Sequence, residues 1–172
     1  MSAKRIVLQS ILDRCGRGDD GYDCFREGSA HRVRLWGDLP PAWPGSLSLH
    51  VSALGIEIVS CDAARIGVTR WAATLLLRAT DLRGRLRGHD FLRMARRTPR
   101  FLPQLSAPPF QIALENARED SSVVVARVTG RDAIGLRAAT LRRFETLSLR
   151  PRELSLRAID GQVDDRFWLE RV

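Results

Sequence analysis

The sequence predicts an α+β fold built from one unit stated twice, and three observations predict it. Residues 32–78 and 123–171 each run through an apolar extended stretch, a glycine-containing loop, an amphipathic helix and two alternating strands. The landmarks fall in the same order in both: Trp36-Gly37-Asp38 against Thr129-Gly130-Arg131-Asp132, and Pro44-Gly45-Ser46-Leu47 against Ala133-Ile134-Gly135-Leu136, then Ala53-Leu54-Gly55-Ile56 against Thr146-Leu147-Ser148-Leu149. The strands alternate apolar and polar residues, as a sheet with one buried face requires.

Taken in order, residues 2–15 read as a helix, since Val7, Ile11 and Cys15 recur at four-residue spacing with Leu8 and Leu12 beside them. Gly16 and Gly18 stop it, and residues 22–26 form a short strand after the polar loop. Val33 and Leu35 alternate with Arg34 and Trp36, opening the first copy. Pro40, Pro41 and Pro44 then make a stiff loop, and Ser46 is the expected cap of a helix that buries Leu47, Val51 and Leu54. Gly55 ends that helix, and residues 56–61 and 71–77 follow as two strands.

Phe91, Met94 and Ala95 mark a helix within residues 86–97. Four prolines make residues 98–109 an extended connector, after which Phe110, Ile112 and Leu114 alternate as a strand. The second copy opens with a strand at 123–128 and turns through residues 130–135. Its helix buries Leu136, Ala139, Thr140, Phe144 and Leu147 and is expected to end at Pro151. A hairpin follows, with Leu154, Leu156 and Ala158 on one arm and Asp160-Gly161 as its turn.

Strand, helix, strand, strand, helix, strand is the order of a ferredoxin-like half sandwich, an antiparallel sheet with its helices on one face. The expected architecture is two such βαββαβ units, residues 29–118 and 119–172. The second unit lacks a helix and a strand, which residues 1–28 are expected to supply.

Arg and Lys outnumber Asp and Glu, 28 to 20, which raises nucleic acid as a partner. Lys4 is the lone lysine, and the densest group, Arg83, Arg85, Arg87, Arg93, Arg96, Arg97 and Arg100, reads as a solvated helix face. The strands lack the closely spaced aromatics of an RNA-reading sheet, so nucleic acid ranks last among the expected partners. Cys15, Cys24 and Cys61 and the isolated His31, His50 and His89 carry no metal-ligand spacing, so neither metal nor other cofactor is expected. No apolar run reaches the roughly 20 residues that span a bilayer, and the opening residues lack a signal-peptide core. A cytoplasmic chain without a membrane segment is expected. No nucleophile stands beside a base, and no glycine-rich phosphate loop ends in Lys, so the chain is not expected to be an enzyme.

Gly130-Arg131-Asp132-Ala133-Ile134-Gly135-Leu136 in the second copy, with Gly37-Asp38, Pro44-Gly45-Ser46-Leu47 and Leu54-Gly55-Ile56-Glu57-Ile58 in the first, resemble the ACT domain pattern. That pattern is a strand, a Gly-Asp-Pro-Gly-Leu loop, a helix and a Leu-Gly-hydrophobic step into a hairpin. The resemblance to a tandem ACT domain protein covers both copies. It implies a regulatory module that binds an amino acid or similar small ligand, acting as a homodimer or on a partner protein. It also implies that, with units side by side, the loop of one faces a strand of the other.

The residues that match the loop become the candidate ligand site, Asp38, Pro44, Gly45, Ser46 and Leu47 in copy one and Asp132, Ile134, Gly135 and Leu136 in copy two, joined by Trp43, which stands in the proline-bounded insertion beside Gly45. A glycine beside a helix start lets a carboxylate approach free amides and the positive helix end, while Asp38 or Asp132 accepts an ammonium. Copy two departs further from the pattern, at Ile134, Arg137, Ser148 and Arg150, so Gly45 is the favoured loop. The runner-up function is an interaction module that keeps the fold without the ligand.

Overall fold

The computed structural model describes residues 11, 18–79, 88–97, 109–116 and 122–171. The strands are β1 (Gly21–Glu27), β2 (Ala30–Asp38), β3 (Ile56–Arg65), β4 (Arg70–Ala79), β5 (Phe110–Asn116), β6 (Val123–Arg131), β7 (Leu149–Ile159) and β8 (Gln162–Arg171). The helices are α1 (Trp43–Ala53), α2 (Phe91–Arg96) and α3 (Leu136–Thr146).

All eight strands join one antiparallel sheet in the order β1-β2-β4-β3-β7-β8-β6-β5. The second half of that order repeats the first in mirror sequence, so each half is a hairpin, a helix and a hairpin. The halves meet where β3 pairs with β7, from Ser60 opposite Arg157 to Ala64 opposite Glu153.

This order corrects the expected strand assignment. The strand at 21–27 pairs with β2 and completes the first half, while the strand at 110–116 pairs with β6 and completes the second. The physical reason is proximity. Glu27 lies opposite Ala30, so Gly28-Ser29 is a two-residue hairpin loop, and Gly28 takes the positive φ of +61° that such a turn demands. Of the helix expected over residues 2–15, only Ile11 is described; it is helical, and it packs on Trp36 and Ala72 of the first half.

Alternation along the strands separates the two faces. Val33, Leu35, Trp71, Leu75, Cys61, Leu154, Leu156 and Phe167 form one core with Trp43, Leu47 and Val51 of α1, Phe91 of α2 and Phe144 of α3. Helices α1, α2 and α3 therefore cover the same face, while the helical Ile11 packs on the other. Trp36 and Ala72, next in sequence to core residues, point to the other face.

Helix α1 starts earlier than expected, because Pro44 sits in its first turn, where a missing N–H costs nothing. It is buried nearly all round. A Cβ placed on Gly45 would lie 3.0 Å from the Ala138 backbone and 3.3 Å from Leu141, so this glycine lets α1 and α3 cross closely. Helix α3 ends at Thr146, earlier than Pro151, which instead lies within β7 at a register irregularity between Pro151 and Glu153. Helix α2 is capped by Asp90, whose carboxylate accepts the Arg93 amide at 2.9 Å.

Candidate functional site

A cleft of about 180 Å³ opens between the two halves, lined by Ser48 and Ser52 of α1, Ile56, Glu57 and Ile58 of β3, and Asp132, Ala133, Ile134 and Arg137. Its walls follow from the sheet. The β3–β7 ladder begins only at Ser60, so residues 56–59 run past its end and leave that edge of β3 free of β7. The loop from β6 to α3 turns across this gap. Gly135, at φ +85°, supplies the left-handed step that starts α3.

The charges in the cleft are unequal. Asp132 and Glu57 are carboxylates, and Glu57 takes a 2.7 Å hydrogen bond from Arg78 Nε. Arg137 is the cation, and it is committed inward: its Nε donates to Asp165 Oδ2 at 3.0 Å. Asp165, 1% exposed, also accepts the Arg157 backbone N–H at 3.0 Å. Burial pushes the Asp165 carboxyl above its ordinary range, and Arg137 and the Arg157 amide only partly oppose this. With Arg137 held by Asp165, the open side of the cleft offers carboxylates, serine hydroxyls and the first turn of an eleven-residue helix.

Of the sequence-predicted residues, Asp132 and Ile134 line this cleft and Gly135 and Leu136 begin the helix beside it. Those of the first copy lie elsewhere. Trp43, 0% exposed, stands edge-on to Trp71 with ring centroids 5.9 Å apart. Pro44, Gly45, Ser46 and Leu47 are buried within α1. Asp38 is exposed but engaged: Thr69 Oγ1 donates to its carboxylate at 2.8 Å, its amide donates to Asp20 at 3.3 Å, and Arg96 Nε donates to its carbonyl at 3.1 Å. Asp20 also pairs with Arg70 and Arg96, and it reaches this position because Gly37 has no side chain; a Cβ there would meet it at 2.6 Å. The first loop is closed by these contacts and by Trp43, while the second is open.

Sequence reasoning did not single out Ser48, Ser52, Glu57, Ile58 and Arg137 as site residues. For Ser48, Ser52, Glu57 and Ile58 the signal was topological, since they come from the opposite copy and only the strand order brings them to Asp132, whereas Arg137 is the second residue of the helix that follows the loop.

The arginine cluster 83, 85, 87 and 100 lies outside the described residues, as does Cys15. Many described arginines are paired with acids, among them Arg32 with Glu27, Arg65 with Glu170, Arg127 with Asp164 and Arg157 with Asp62. Among the described residues no group of His, Cys, Asp and Glu gathers at metal-binding range. No described helix is long and apolar enough to cross a membrane.

Compared with known proteins, the chain matches no family model, no curated protein and no solved structure.

Proposed function

We propose that the chain is a small-molecule-binding regulatory module of two ACT-like, ferredoxin-like units, with an amino acid or similar zwitterion held in the cleft at Asp132. The observation that carries this reading is the pairing of a loop from one half with a free strand edge from the other, beside a helix start. In each half the first strand, β1 or β5, takes the edge position that the last strand of a ferredoxin-like unit would fill. Asp132 and Glu57 suit an ammonium, and the first turn of α3 suits a carboxylate. A molecule seated there touches both halves and holds them together, which is how binding becomes regulation. On this reading each chain has one site, because the corresponding loop of the first half is closed by the contacts of Asp38 and followed by the buried Trp43.

The test is a thermal shift with each of the standard amino acids. Ligand at 100 times its dissociation constant adds about 2.7 kcal/mol, a rise of about 5–10 °C for a chain of this size. Asp132→Ala should abolish the shift without lowering the unliganded midpoint by more than about 0.5 kcal/mol in stability. No shift from any amino acid at millimolar concentration would leave the second reading, a ligand-free interaction module, which the filled first loop favours.

A further inference from the structure

We propose that β5 is the seat of a second copy of this chain, the two β5 strands pairing antiparallel, edge to edge, about a two-fold axis at Ala113. Three observations lead there. Strand β5 ends the sheet, so β6 holds one edge and no described strand holds the other. An edge of this kind is normally blunted by charge. The opposite edge, β1, carries Asp23, Arg26 and Glu27, whereas β5 reads Phe110-Gln111-Ile112-Ala113-Leu114-Glu115-Asn116, with one charge near its end.

Among the described residues nothing stands over Ile112 and Leu114 on the helix-side face either. Ile112 lies opposite Val128 just as Tyr22 lies opposite Leu35, so these two are equivalent positions of the halves. Tyr22 is met edge-on by Phe91 of α2, ring centroids 5.7 Å apart. No described helix stands over β5, and Ile112 and Leu114 are 37% and 65% exposed on the helix side of the sheet. An open recess lined by Gln111, Ile112, Ala113, Arg127 and Thr129 borders the same strand.

The occupant is specified by the strand's own sequence. With Ala113 opposite Ala113, Ile112 of each copy faces Leu114 of the other, and Gln111 faces Glu115. The apolar pairs fall on one face and the amide-carboxylate pairs on the other, and no like charges are opposed. The two eight-stranded sheets become continuous, and each copy covers the residues the other leaves bare.

Sedimentation equilibrium of the full chain, from low to high micromolar concentration, tests this. The wild type is expected to dimerise. Leu114→Arg sets a cation of each copy beside the axis and is expected to weaken association at least about tenfold, while Phe25→Ser on the opposite edge leaves it unchanged. Should Leu114→Arg lose its fold by circular dichroism, Ile112→Lys gives the same reading. A wild type that stays monomeric overturns the proposal. So does a dimer indifferent to Leu114→Arg or Ile112→Lys, or one broken by Phe25→Ser instead, which would seat the contact on β1 or elsewhere.

Discussion

Asp165 carries the clearest consequence at the scale of one residue. Its carboxyl titrates above its ordinary range because burial disfavours the charge. Between the ordinary and the raised value, the folded chain keeps a proton that the unfolded chain has released, so folding stability falls as pH rises through that window. Denaturant titrations at a series of pH values should show this decline in the wild type relative to Asp165→Asn, which has nothing to titrate there. Arg137→Met removes the neighbouring cation and should push the carboxyl higher still, widening the window. A difference between wild type and Asp165→Asn that is flat from pH ~4 upward would contradict this. Cys61 follows the same logic: burial pushes its thiol well up, which makes it an unreactive core side chain.

Helices and hairpins show what local physics reads and what it misses. At the crossing of α1 and α3, Gly45 faces Ala138 and Leu141 at van der Waals limits. Gly45→Val should therefore force the helices apart and cost about 1–3 kcal/mol, measured by urea unfolding; an unchanged midpoint would show that the crossing is slack. The duplicated order of strand, loop, helix and hairpin was legible because each element has its own period and its own breaker, as Gly55 and Asp160-Gly161 illustrate. The seat of the strand at 21–27 was legible too, in the two-residue turn Gly28-Ser29, a signal overlooked in favour of completing the second half.

Trp43 was misjudged for a different reason. A proline-bounded loop and a helix whose first turn contains proline look alike in one dimension, and only packing against Trp71 decides between them. The cleft was half legible: Asp132 and Ile134 carry the loop pattern, but Ser48, Glu57 and Ile58 join them through a long-range pairing that no local signal encodes.

Across the whole molecule the halves are joined at β3 and β7 by a shared polar seam. Arg157 donates both guanidinium contacts of its Nη2 to Asp62, at 2.8 Å each, and its Nη1 to the Cys61 carbonyl at 3.2 Å, while Ser155 Oγ donates to Asp62 at 2.8 Å. A single hydrogen bond to a charged group contributes about 1.5–3 kcal/mol, and solvent screening of Arg157, whose side chain is 36% exposed, holds the seam as a whole to about that range. Arg157→Met should lower global stability by about that amount while keeping a single cooperative transition, because the apolar core also runs across the join. Two resolved transitions would mean that the halves fold separately.

Covalent linkage gives such a pair a freedom that separate identical subunits lack. With Trp43 buried in one lobe and the cleft open at the other, the proposed ligand would bind one to a chain, and no mutation in one lobe need be echoed in its sister.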